Sequence, residues 1–173
     1  TGPDMDMVEE LVSKDASIKG IWCVPKYSNP TGISYSDETV RRFARLQPAA
    51  KDFRIFWDNP YSIHHLYDDK RVVVLELLNE CIKVGNPDIV IKFISTSKVS
   101  FPGSGIAALA ASRGNLEDAR RYMKYQTIGH DKLNQLRHVR YFKDMLGVYE
   151  HMREHAAILR PKFEKVDEVL TKE

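Results

Sequence analysis

The chain has 173 residues, 43% of them apolar and 10% aromatic, which is enough to bury a core and rules out a disordered tail. Its net charge of +2 is too balanced to mark a nucleic-acid-binding or membrane-surface protein. Cys23 and Cys81 lie far apart with no paired spacing, which argues against a disulfide framework or a Cys-rich zinc site.

No apolar run reaches the roughly 20 residues of a membrane-spanning helix. Thr1-Gly2-Pro3-Asp4 is polar and turn-like, unlike a signal peptide. A cytoplasmic globular protein with reduced thiols is expected, with neither nucleic acid nor membrane as partner.

In chain order, Met5, Val8, Leu11 and Val12 recur at helical spacing. The run Ile18–Pro25 reads as a buried strand, and Ser36 can cap a helix through Val40, Phe43, Ala44 and Leu46 that Pro48 ends. Residues 53–57 form a second strand, and a helix from about Val72 to Val84 stops at Gly85. Strands over Ile89–Ser95 and Ile106–Ala111 follow. Four buried strands between helices predict an α/β fold with a mainly parallel sheet, covered by helices on both faces. From Asn115, expected as a cap, the pattern is wholly helical: one helix to about Thr127, one from about Asp131 to Met145, and one from Val148 to the end with a kink at Pro161. A long terminal helix that ends abruptly makes the chain read as a piece of something longer.

Two catalytic patterns fail on context. Ser95-Thr96-Ser97-Lys98 spells S-x-x-K, but that chemistry needs a helix, and here the residues end a strand and run into Pro102-Gly103. His151-Met152-Arg153-Glu154-His155 spells H-x-x-E-H without an evident third ligand, so no metal is expected. The basic residues from Arg113 to Lys143 are interrupted by Glu117, Asp118 and Asp131, and the tyrosines among them fall at core spacing. A solvated helix face is the reading there.

Three polar segments stand apart. Tyr27–Gly32 follows the first strand, Asp58–Tyr61 the second, and Ser95–Lys98 the third. In a parallel sheet all three emerge at the carboxyl edge, where such folds bind ligands. An amide, a carboxylate, a phenol, hydroxyls and a lysine would converge on one crevice.

The N-P-T-G of Asn29–Gly32, the D-x-x-Y of Asp58–Tyr61 and the S-x-S-K of Ser95–Lys98 resemble, in order and separation, the class I aminotransferases, which are fold-type I pyridoxal-phosphate enzymes. Trp22-Cys23-Val24-Pro25-Lys26-Tyr27 and Phe101-Pro102-Gly103-Ser104-Gly105 are similar to the aspartate-aminotransferase-like subgroup associated with the MocR name. The resemblance covers only the middle of the family's longer sequence. It implies that residues 1–145 are part of the large cofactor-binding domain and that 146–173 are a truncated long helix leading toward the small one.

The resemblance also implies the roles. Pyridoxal 5'-phosphate would be the cofactor, with Lys98 as the catalytic lysine that binds its aldehyde and shuttles the substrate proton. Asp58 would pair with the ring nitrogen, Asn29 and Tyr61 would bond the ring oxygen, and Ser95 and Ser97 would hold the phosphate. An amino acid, with aspartate one candidate, and a 2-oxo acid would be the substrates, and the full-length protein would be a homodimer. Pro30 would follow a cis peptide bond. The family's phosphate-binding arginine is missing, with Gly105 in its place and no basic residue between Lys98 and Arg113. Two alternatives share the matched residues: the aminotransferase-like effector domain of a MocR-type transcriptional regulator, and a pyridoxal-phosphate lyase. The segment by itself is expected to be inactive.

Overall fold

The computed structural model describes residues 1–172, in two compact units. The first comprises residues 1–60 and 73–130; the second comprises 61–72 and the chain from Asp131 onward.

In the first unit, α1 (Met5–Lys14) starts where the Asp4 carboxylate accepts from the Asp6 and Met7 amides. Strand β1 (Gly20–Cys23) and helix α2 (Asp37–Ala44) follow, the latter capped by Ser36 as expected. Strand β2 (Arg54–Asp58) leads to α3 (Leu77–Lys83). That helix starts later than its apolar pattern suggests. Val72, Val73 and Val74 are β-branched and favour extended backbone, and Glu76 then caps the helix by accepting from the Asn79 amide at 2.7 Å. Strands β3 (Val90–Ser95) and β4 (Ala107–Ala111) precede α4 (Arg113–Gln126).

The cap of α4 is Ser112, whose hydroxyl accepts from the Asn115 amide. Asn115 has a different task from the one its sequence position suggests. It is buried, its side-chain oxygen accepts from Arg54 Nε at 3.3 Å, and its amide nitrogen donates to the Asp88 carbonyl at 2.8 Å.

The sheet order is β1-β2-β3-β4, with the first three strands parallel and β4 antiparallel to β3. The reversal follows from the connection, because residues 96–106 contain no helix and a parallel crossover needs one or an equivalent length of chain. One face of the sheet presents Cys23, Ile55, Trp57 and Val90 to α1–α3, where they bury with Val12, Val40, Phe43, Leu77 and Cys81. Trp57 meets Phe43 and Tyr35 edge-on, at 5.8 and 5.6 Å between ring centroids.

On the other face the described residues leave part of the surface accessible. Trp22 is 63% exposed there and stacks on Phe56 at 5.4 Å and on Phe93 at 5.9 Å. A run of apolar letters does not tell which face a chain covers for itself. Gly20 makes the arrangement possible, since a Cβ on it would lie 2.7 Å from the Arg54 carbonyl oxygen and 3.0 Å from the Phe56 ring.

In the second unit, α5 (Lys132–Phe142) is capped by Asp131 and ends earlier than expected, at Lys143 with φ of 65°. Helix α6 (Met145–Thr171) begins three residues before its expected start, where Asp144 accepts from the Gly147 amide, and it remains helical through Pro161. The Phe142 carbonyl occupies the space a side chain at Gly147 would need. Arg160 ties residues 61–72 to α6: its Nε donates to the Leu66 carbonyl at 2.8 Å, and its guanidinium lies over the Tyr67 ring.

Replacing Gly20 with alanine should destabilise the fold by about 1–3 kcal/mol through overpacking against backbone. Gly129→Ala, where a Cβ would meet nothing within 4 Å, should stay within about 0.5 kcal/mol of the parent. Urea denaturation of the two variants measures the difference.

Candidate functional site

The carboxyl ends of β1, β2 and β3 carry the polar segments singled out by the sequence. After β1 the chain passes through Tyr27, at φ of 49°, into a turn closed by two bonds: the Gly32 amide on the Ser28 carbonyl at 2.5 Å and the Ser28 amide on the Ile33 carbonyl at 2.9 Å. Gly32 has φ of 70°, which only glycine adopts without strain. The Asn29–Pro30 peptide bond is cis, and Asn29 is exposed on this turn.

Asp58 is the last residue of β2 and pairs in register with Phe93, so it shares the open face with the Trp22–Phe56–Phe93 stack. Ser95, two residues beyond Phe93 on the neighbouring strand, points to the same side. The Asp58 carboxylate is half-buried and has no hydrogen bond or ion pair among the described residues. The Asn59 amide is tied to the Phe93 carbonyl at 3.0 Å, while its buried Oδ1 lacks a hydrogen-bond partner among the described residues. Acceptor groups that are partly or wholly dry and unpaired are costly, and they suit a site completed by a donor.

Ser97 and Lys98 are exposed on the turn after β3, where the Ser97 amide donates to Ser95 Oγ at 3.4 Å. Val99 is buried beside them. Among the sequence-derived candidates, the first unit therefore gathers Asn29, Asp58, Ser95, Ser97 and Lys98 at one edge. Tyr61 belongs to the second unit, where its ring meets His64 edge-on at 5.5 Å.

Other lysines near this edge are engaged elsewhere. Lys92 is half-buried and ion-paired with Glu76, and burial lowers its pKa. Lys26 is buried, with its Nζ 5.4 Å from the Tyr27 ring centroid.

Two features escaped the sequence reading. The aromatic stack was hidden because Ile18–Pro25 read as a uniformly buried run, although the alternation of Gly20 and Trp22 against Ile21 and Cys23 carries the signal. The second is Thr96, which ties the Lys98 loop at its base through the Ile106 amide.

In the second unit, the His151 and His155 rings lie 4.2 Å apart and His151 Nδ1 is 3.3 Å from the Tyr141 hydroxyl. Among the described residues no group of three or more His, Cys, Asp or Glu could hold a metal ion. The basic face of α4 is solvated and ion-paired, Arg113 with Glu117 and Arg121 with Asp118. Tyr122 and Tyr125 are exposed on it, against the core placement that their spacing suggests.

Comparison with known proteins fits this geometry. A family model described as aspartate amino-transferase matches residues 1–173. An aspartate aminotransferase of Corynebacterium glutamicum is 44% identical over 170 residues, which is 98% of this chain and 39% of the relative. The crystal structure of an aspartate transaminase from the same species superposes with a TM-score of 0.94 at 42% identity, covering 99% of this chain and 40% of that one. An α-aminoadipate aminotransferase from Thermus thermophilus, complexed with N-(5'-phosphopyridoxyl)-L-leucine, has a TM-score of 0.76 at 20% identity, over 96% of this chain and 42% of that one; this likeness is one of fold. The chain thus spans about two fifths of the length of these relatives.

Both cysteines are free and buried. Burial pushes the Cys23 thiol up to about 12, against a smaller opposing pull from its hydrogen bond with Tyr35, and pushes Cys81 up to about 12 as well. Neither should react with an aromatic disulfide reagent at pH 8 in the native protein, and both should react on unfolding. A raised thiol pKa stabilises the fold below the unfolded thiol's value of 9.0. That contribution should fade as pH rises through it, which thermal melts between pH 8 and 10 will show.

Proposed function

The chain belongs to the aspartate aminotransferase family, and from that premise we propose that the whole protein transfers an amino group between an amino acid and a 2-oxo acid with pyridoxal 5'-phosphate as cofactor. The observation that carries this reading is the shared open face of Asp58 and Ser95 on neighbouring parallel strands, with Asp58 half-buried and unpaired among the described residues, at the edge where the Asn29 and Lys98 turns emerge.

The residues fit the group. Asp58 is an acceptor suited to a protonated ring nitrogen, and Asn29 and Tyr61 would donate to the ring oxygen. Ser95 and Ser97 supply hydroxyls for a phosphate. Gly105, which the resemblance sets at the place of the wider family's arginine, lies close against Ser97, and phosphate binding would then fall to hydroxyls and backbone amides. Bound there, the cofactor supplies an electron-withdrawing ring that makes the α-hydrogen of an attached amino acid acidic.

The protein's part is to orient and to move a proton. Lys98 Nζ would hold the cofactor aldehyde at rest and, once released, take the α-proton and return it on the other side of the transfer. The Asp58 carboxylate would keep the ring nitrogen protonated while charge develops. Aspartate is the proposed amino donor, supported by the names of the Corynebacterium glutamicum relatives. A cytoplasmic homodimer completes the proposal; no helix among the described residues is long and apolar enough to cross a membrane.

In the full-length protein, borohydride reduction and peptide mapping should place the cofactor on Lys98; label on Lys26 or Lys92 would contradict the assignment. Transfer from aspartate to 2-oxoglutarate tests the activity directly. Asp58→Ala should lower turnover by about 100-fold or more. Tyr61→Phe should cost about tenfold or less, as befits one hydrogen bond. Equal losses would remove the distinction between their roles.

A further inference from the structure

The β3–β4 ladder pairs Ser95 with Ala107, and its next rung would pair Thr96 with Ile106. Half of that rung is backbone: the Thr96 amide donates to the Ile106 carbonyl at 2.9 Å. The other half is not. The Ile106 amide donates to Thr96 Oγ1, also at 2.9 Å, so a side-chain hydroxyl fills the place of a strand carbonyl.

The Thr96 carbonyl is thereby released to the following turn. It accepts from the Val99 amide at 2.9 Å, from the Ser100 amide at 2.8 Å and from Ser100 Oγ at 3.2 Å. Ser100 Oγ also lies 3.3 Å from Thr96 Oγ1. Lys98 sits inside the turn that these bonds close, with Val99 buried at its base. The returning limb leans on the same turn, since a Cβ on Gly105 would stand 3.1 Å from Ser97 Oγ and 3.2 Å from its amide nitrogen.

We propose that Thr96 is a positioning residue for Lys98: its hydroxyl completes the last rung of the ladder, and its own carbonyl folds the chain back to present the amine. The proposal rests on the reading of Lys98 as the cofactor-bearing lysine. Valine matches threonine in shape but offers no acceptor. In Thr96→Val the Ile106 amide loses its acceptor and recaptures the Thr96 carbonyl, which takes that carbonyl from Val99 and Ser100, opens the turn and displaces Lys98. Serine keeps the oxygen.

The test uses the full-length protein. Thr96→Val should lower kcat about tenfold to a hundredfold with little change in KM, because a displaced reacting group costs rate more than affinity. It should also slow covalent uptake of pyridoxal phosphate by the apoprotein, followed by absorbance. Thr96→Ser should remain within about threefold of the parent on both counts. The Ile106 amide should be protected from hydrogen exchange in the parent protein and lose that protection in Thr96→Val.

Parental kcat and uptake rate in Thr96→Val would overturn the proposal. So would an Ile106 amide that exchanges as fast as that of Gly103 in the parent protein, a measurement that stands even if Thr96→Val does not fold. Absence of borohydride label from Lys98 in the parent would bring down the functional reading itself. Label on Lys98 with an indifferent Thr96→Val would bring down this inference alone.

Discussion

The register of three parallel strands is the constraint on which the first unit depends. Cys23 opposite Trp57 and Ile55 opposite Val90 send one set of side chains into the core under α1–α3. The residues between them, Trp22, Phe56, Asp58 and Phe93, go the other way. A slip of one residue would exchange these sets, burying a carboxylate and exposing the core, so hydrophobic burial fixes where Asp58 points. Burying side chains such as Phe43, Ile55 and Leu77 is worth about 1.5–3 kcal/mol each, and summed over the core this exceeds the roughly 1–3 kcal/mol cost of one unpaired acceptor at the sheet's edge.

The same edge shows how a regular element is made to stop. β1 ends in a glycine turn with a cis proline, β2 in a carboxylate followed by an Asn-Pro pair, and β3 in a threonine that exchanges its carbonyl for its hydroxyl. After β1 and β3 hydrogen bonds within the turn take over from the ladder where the chain leaves the sheet, whereas after β2 the Asn59 amide still bonds the Phe93 carbonyl of β3. The candidate groups are therefore held by short bonded turns tied to strands, and the strands supply their rigidity.

Much of this was legible in the letters. Apolar runs located all four strands, and Ser36, Gly85 and Asp131 marked helix ends because capping is a local interaction between neighbours in sequence. The N-P-T-G, D-x-x-Y and S-x-S-K segments found the carboxyl edge because parallel topology puts successive strand ends together. Long-range partners were not legible. Asn115 looked like a cap, and its clamp on Arg54 and Asp88 depends on the tertiary meeting of three segments. The late start of α3 depends on a glutamate cap overriding an apolar pattern, and the exposed tyrosines of α4 show that helical spacing does not by itself specify which stripe is buried.

The two tryptophans turn the sidedness of the sheet into something an instrument can see. Trp22 and Trp57 are the only indoles of the chain, on adjacent strands but on opposite faces, one 63% exposed and the other 2%. Their fluorescence divides accordingly. Trp57, buried, should emit as a dry indole out of reach of a soluble quencher, while Trp22, exposed and stacked on two phenyl rings, should be quenched. A variant with one indole therefore watches a single layer: with Trp57 alone it reports the integrity of the helical side, and with Trp22 alone it reports whatever comes to cover the open side.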